Sequence, residues 1–156
     1  MPRRGAVAKR QVAPDAVFGS QLATRFINKL LQGGVKTAAD KIFYGAMQHI
    51  AEQTNGNPLE VLRSAVRNAM PSLEVRPRRV GGSTYQVPME VATSRQITLA
   101  VRWVVDVARE RPERQMFERF AAELMDAANR DGGAVRRRDE MHRMAEANKA
   151  YAHYRW

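Results

Sequence analysis

Between residues 73 and 91 the apolar side chains recur at every second position, and nowhere else in the chain do they do so. In TYQVPMEV, Tyr85, Val87, Met89 and Val91 fall on one face. Leu73 and Val75 begin a partner run that carries Arg76, Arg78 and Arg79, with Gly81-Gly82 in the connection. Successive side chains of a strand point to opposite faces, so the pattern predicts a β-hairpin at about 73–91. Pro77 and Pro88 have no N–H to give to a ladder, so neither run suits the middle of a sheet, and no third strand is on offer. Two strands cannot close a barrel or build a sandwich. The hairpin must project from helices or lean on them, and with so little sheet of its own its tip is expected to be mobile until a partner orders it.

Helical periodicity fills the rest. After Ser20, Leu22, Phe26, Ile27 and Leu30 recur on one side, with Arg25 and Lys29 on another, until Gly33-Gly34. Thr37 and Asp40 have capping-box spacing ahead of the stripe Ala39, Ile42, Phe43, Ala46 and Ile50, which ends at Asn55-Gly56. A third helix starts at Asn57-Pro58, with Glu60 in its first turn, and runs to Pro71. The fourth, from Ser94, is the most informative: Ile97, Val101, Val104 and Ala108 share one face, and Arg95, Thr98, Arg102, Asp106 and Arg109 share the opposite one. A fifth is predicted from about Glu113 to Asp131-Gly132-Gly133. A sixth runs from Val135 to about Asn148 and carries Arg136, Arg137 and Arg138. The expected fold is mainly α: a single domain of about six helices with a protruding two-stranded β-hairpin. A basic N-terminal arm (1–15) precedes the helical domain (16–156).

Composition narrows the partners. The chain has 156 residues and 26 Lys plus Arg against 16 Asp plus Glu, a net charge of +10. Only five of the 26 are Lys; 21 are Arg, whose planar guanidinium binds phosphate through two parallel hydrogen bonds and stacks on bases. Polyanions lead the candidates. The 44% hydrophobic fraction suffices for a core at this length. Zero Cys excludes disulfides, iron–sulfur clusters, Cys-ligated zinc and thiol nucleophiles. No apolar run approaches a membrane span, and the opening MPRRGAVAKRQVAP lacks the apolar stretch of a secretory signal or the bulky face of an interfacial helix. A cytoplasmic protein without a membrane partner is expected.

Catalysis finds no constellation. There is no phosphate-binding glycine loop, nucleophile elbow or Ser/His/Asp set, and His49, His142 and His153 follow no metal-ligand spacing. Neither an enzyme nor a cofactor is expected. The basic arm, the hairpin arginines, the fourth-helix face and the Arg136–Arg138 run each fit an ordinary solvated face when taken singly, and Arg102 with Asp106 at i,i+4 also fits an intrahelical ion pair. Together, charge on flexible arms and on one helix face points to nucleic acid. Tyr85, Tyr151, Tyr154 and Trp156 have the chemistry to stack on unpaired bases, although Tyr85 equally suits packing on a helix. A DNA-binding architectural protein with a β-arm is the alternative. No helix-turn-helix spacing or dimer seam accompanies the single hairpin, which favours irregular RNA.

The runs EVRPRRVGGSTYQVPMEV (74–91) and HRMAEANKAYAHYRW (142–156), with the opening MPRR and FINKLL (26–31), resemble the bacterial ribosomal protein S-seven family of the small subunit. The similarity spans the chain. One departure is Gly34-Val35-Lys36, where the family commonly has Gly-Lys-Lys. The resemblance implies a helical domain with a β-hairpin that binds small-subunit ribosomal RNA in its 3′ major domain and nucleates assembly of the subunit head. It also implies a place near messenger RNA and the exit-site transfer RNA, beside the ninth and eleventh small-subunit proteins. By position, its RNA contacts are Arg3, Arg4, Lys9 and Arg10 in the arm, Lys36 in the loop, Arg76, Arg78 and Arg79 in the hairpin, and Arg95, Arg102 and Arg109 on the fourth helix. Tyr85 and the sixth-helix residues Arg136, Arg138 and Arg143 complete the candidate set.

Overall fold

The computed structural model describes residue 5 and residues 10–154; Arg3, Arg4 and Lys9 of the arm, and Trp156, lie outside the described residues. Six α-helices follow in order: α1 (Gln21–Leu30), α2 (Lys36–Thr54), α3 (Pro58–Ala69), then α4 (Thr93–Glu110), α5 (Met116–Ala128) and α6 (Gly132–Ala147). The strands β1 (Leu73–Val80) and β2 (Ser83–Glu90) stand between α3 and α4, and a 3-10 helix over Lys149–Tyr154 ends the described chain. The fold is mainly helical with one antiparallel hairpin, as the single period-two segment requires.

The apolar stripes meet in one core. Phe120 of α5 stands between Phe26 of α1 and Phe43 of α2, with ring centroids 5.5 and 6.3 Å away, and all three rings are fully buried. Leu62, Ala65 and Ala69 of α3 and Leu124 of α5 extend the cluster. α4 is more enclosed than its predicted stripe. Trp103, Val105 and Val107 are buried beside Val101, Val104 and Ala108, because α1, α3, α5 and α6 all pack against this one helix. Its remaining outer strip is the cationic one.

Three boundaries differ from the sequence reading, each for a local reason. The Thr37–Asp40 capping box does not form: α2 begins at Lys36, its cap position is Val35, and no side chain caps it. α5 starts at Met116, not near Glu113, because Gln115 and Glu118 make the reciprocal capping box there. α6 starts at Gly132, so Asp131-Gly132-Gly133 opens a helix as well as closing one. Asp131 Oδ1 accepts the Gly132 N–H at 2.7 Å, and Glu123 Oε1 accepts the Ala134 N–H at 2.8 Å. Both glycines are required there. Gly132 has φ +89°, and a Cβ on Gly133 would lie 2.5 Å from Val107 Cγ1, so the backbone of α6 lies directly against the Val107 side chain of α4.

Glu123 is the junction of that corner. Its side chain has no exposed surface, and its second oxygen accepts from Arg111 Nη1 at 2.8 Å. Arg111, just past the end of α4, also binds Asp126 at 2.8 Å and Glu113 at 3.0 Å. Burial alone lowers the pKa of the Arg111 guanidinium, but hydrogen bonds to Asp126, Glu123 and Glu113 outweigh it and raise the value. The two ends of α4 and α6 are thereby tied through α5.

The hairpin turns at Gly81 (φ 57°) and Gly82 (φ 88°), the two left-handed positions of a two-residue turn that matches strand twist. Its register pairs Arg78 with Tyr85, Arg76 with Val87 and Glu74 with Met89. Directly opposed residues share a face, so Arg76 and Arg78 lie on one side and Arg79 on the other. The hairpin leans on the helices. α6 packs against β1 and β2, and the 3-10 helix packs against β2. Tyr85 stands 5.1 Å from Tyr151 and stacks on Tyr154 at 5.5 Å, which supports the ribbon almost to its turn. Replacing Glu123 with Ala should lower unfolding free energy by about 3 kcal/mol in urea denaturation, since it strands the Ala134 N–H and removes one of three carboxylates from Arg111.

Candidate nucleic-acid interface

α1 and α4 pack side by side, and the pattern of each places its cations along the seam. Arg25 and Lys29 are one helical turn apart on α1; Arg95 and Arg102 are two turns apart on α4. With Val12 of the arm, Asn28, Ser94, Thr98 and Val101, they line a groove of about 710 Å³ that contains no carboxylate in its lining. Asp106 lies beyond it. Its Oδ1 accepts from Lys29 Nζ at 3.1 Å and approaches Arg109 Nη1 at 3.9 Å. The alternative i,i+4 pair between Arg102 and Asp106 is therefore not the one made. Arg102 is exposed and makes no hydrogen bond or ion pair among the described residues.

The end of the arm is fastened beside this groove. Thr24 Oγ1 donates to Ala13 O at 2.8 Å, Asp15 accepts the backbone N–H groups of Val17 and Phe18, and Tyr44 donates its hydroxyl to Asp15 at 2.7 Å. That hydrogen bond, followed by burial and the charge of Asp15, pushes the Tyr44 hydroxyl up to about 12. Arg10 is exposed just before this anchor.

A second ion cluster joins the groove to the hairpin. Glu74, 5% exposed at the base of β1, accepts from Arg76 on its own strand and from Arg95 Nε at 2.7 Å. Burial works to raise the Glu74 pKa; the hydrogen bonds from Arg95 and then Arg76 reverse that and hold the carboxyl below its ordinary range. Arg95 thus serves two sites. It reaches Glu74 through Nε and also lines the groove.

The other candidates sort by what they already hold. Arg78 is half-buried opposite Tyr85, whereas Arg79 is exposed. Tyr85 packs on Tyr151 and Tyr154. Arg109 donates to Lys29 O at 3.2 Å, bracing α4 against α1. Arg136 pairs with Asp131 at 3.4 Å in the open. Arg138 is committed to structure, holding Asp139 at 2.6 Å and the Asn68 carbonyl at the end of α3. Arg143 is exposed, and Lys36 is exposed in the first turn of α2, outside the groove. Arg25, Lys29, Arg63 and Arg67 were absent from the sequence-predicted set, although the i,i+4 spacing of each pair is visible in the chain. Among the described residues no group of three or more His, Asp or Glu residues could hold a metal ion, and no helix is long and apolar enough to cross a membrane.

Residues 2–149 match the family described as ribosomal protein S7p/S5e. The chain is 58% identical over 156 residues to small ribosomal subunit protein uS7 of Dictyoglomus thermophilum and 58% identical to that of Carboxydothermus hydrogenoformans, in each case covering both chains completely. It is 53% identical, again over 100% of both chains, to the uS7 of Lawsonia intracellularis.

The Glu74 cluster carries its own pH signature. A carboxylate whose folded pKa lies below its unfolded value contributes stability that is complete above the unfolded value, 4.5, and is lost as pH falls through the folded one. The difference in unfolding free energy between the native chain and Glu74→Gln should hold steady from neutrality down to about pH 5 and shrink below it, as read from urea melts across that range.

Proposed function

Because the chain belongs to the ribosomal protein S7p/S5e family, we propose that it binds folded small-subunit ribosomal RNA directly, through the groove between α1 and α4 and the hairpin beside it. A ribosomal protein of this family is a component of a ribonucleoprotein, not an enzyme. The observation that carries the reading is the convergence of Arg25, Lys29, Arg95 and Arg102 on one carboxylate-free groove. Like charges at such spacings cost only a few tenths of a kcal/mol per pair, so a folded helix pair can hold them ready. Phosphates entering the groove relieve that repulsion and release counterions, which makes the binding strongly salt-dependent.

In this reading the groove takes the RNA backbone, and Arg3, Arg4, Lys9 and the exposed Arg10 add phosphate contacts to it. Arg78 and Arg79 reach further out on a hairpin about 26 Å long at ~3.3 Å per residue. The RNA is the 3′ major domain, and binding there nucleates the subunit head. The hairpin points toward messenger RNA and the exit-site transfer RNA, and the ninth and eleventh small-subunit proteins are neighbours. Lys36, Arg136 and Arg143 serve as peripheral phosphate contacts. Arg76 and Arg109 act mainly by holding the hairpin base and α4 in place, and Arg138 by capping α3. Tyr85 contributes through the ribbon it stiffens.

Arg102→Ala should weaken binding to a 3′ major domain fragment and reduce the slope of log affinity against log salt by about one, while moving the thermal midpoint little, because the side chain is exposed and holds no partner. At about 0.2 M salt the fragment should outcompete duplex DNA of the same length. Equal competition by the duplex would sink the proposal.

A further inference from the structure

A second groove, of about 330 Å³, lies between the start of α1, the outer face of α3 and the first turns of α4. Its apolar lining is Leu22, Val66, Met70 and Ile97, and three guanidiniums, Arg25, Arg63 and Arg67, stand around it. No carboxylate lines it. None of the three arginines makes a hydrogen bond or ion pair among the described residues. Arg63 and Arg67 are one turn apart on the same face of α3, an arrangement that is mildly repulsive in the free protein.

Arg25 lines this groove and the larger one alike, so the two adjoin with that single side chain between them. An apolar floor ringed by unpaired guanidiniums differs from a plain phosphate track. It has an apolar surface for a flat ring and planar cations able to stack on that ring or grip its flanking phosphates. Its volume sits near the lower end of the ~300–1,000 Å³ typical of small-ligand clefts.

We infer that this groove is a subsite for one unpaired nucleotide of the bound RNA, its base laid on Leu22, Val66, Met70 and Ile97 and its phosphates held by Arg25, Arg63 and Arg67. The inference rests on the proposed RNA binding of the adjoining groove and adds to it a single-stranded element that crosses Arg25. An acidic protein segment would meet the same charges, but the shared Arg25 and the apolar floor favour a continuing nucleic-acid strand.

The test uses the full-length chain and a 3′ major domain RNA fragment. Removing two phosphate contacts from the total should leave Arg63→Ala/Arg67→Ala losing about tenfold less affinity than the native chain between 50 and 200 mM salt. A photoreactive phenylalanine analogue in place of Met70 should crosslink to an unpaired nucleotide of the fragment. Unchanged salt dependence in the double variant, a crosslink confined to paired nucleotides, or no crosslink to RNA overturns the inference. If Arg95→Ala/Arg102→Ala still weakens binding in that case, the main groove stands and only the subsite falls; if neither double variant has an effect, the proposed RNA surface falls with it. Normal RNA binding by Arg63→Ala/Arg67→Ala coupled with failure to enter reconstituted subunits assigns the groove to a protein neighbour and likewise overturns it. Arg63 and Arg67 sit on an exposed helical face where Ala is the better helix former, so that double variant keeps the fold.

Discussion

A carboxylate with no exposed surface has to find its hydrogen bonds inside the protein, and Glu123 finds them at the one place where α4, α5 and α6 meet. One oxygen holds the first turn of α6 and the other holds Arg111 at the end of α4. With Gly133 against Val107, this leaves α6 a single line of approach to α4. The C-terminal part of the fold inherits that line. α6 supports the hairpin, and the 3-10 helix that continues from it carries Tyr151 and Tyr154 to Tyr85. The direction of the ribbon is therefore set at a corner remote from its turn.

The basic surface rests on a division of labour among chemically equivalent side chains. Arg111, Arg138 and Arg109 face carboxylates or carbonyls and brace helix ends. Arg102, Arg63 and Arg67 face solvent and Arg25 is half-buried, all without partners among the described residues. Arg95 stands between, holding Glu74 through Nε while also lining the groove. Excess charge in this molecule is thus sorted by where the 16 acids have been placed, most clearly by keeping every one of them out of the lining of both arginine grooves.

Periodicity made the architecture legible. The hairpin follows from one alternating run and a Gly-Gly turn, and the amphipathic split of α4 separates buried Val101 and Val104 from exposed Arg95 and Arg102 as its spacing implies. Pairing across elements escaped the sequence. The spacing of Arg102 and Asp106 suggests a bond, yet Lys29 arrives from α1 and takes the carboxylate, a competition settled only by helix packing. The start of α6 was hidden for a similar reason: its first N–H groups are satisfied partly by Glu123 from another helix, and Asp-Gly-Gly alone reads as a stop. Arg63 and Arg67 gave a visible i,i+4 signal, but nothing in α3 by itself says that α1 and α4 close a groove over that face.

The tyrosine contact at the tip of the ribbon has a consequence for how the molecule comes into being. Tyr85 lies near the middle of the chain, whereas Tyr151 and Tyr154 lie in its last helical segment. During synthesis the two strands emerge and can pair long before the side chains that brace them have been made. A nascent chain halted anywhere before the 3-10 helix carries the ribbon without its brace, so the ribbon is completed only once Tyr151 and Tyr154 have been made.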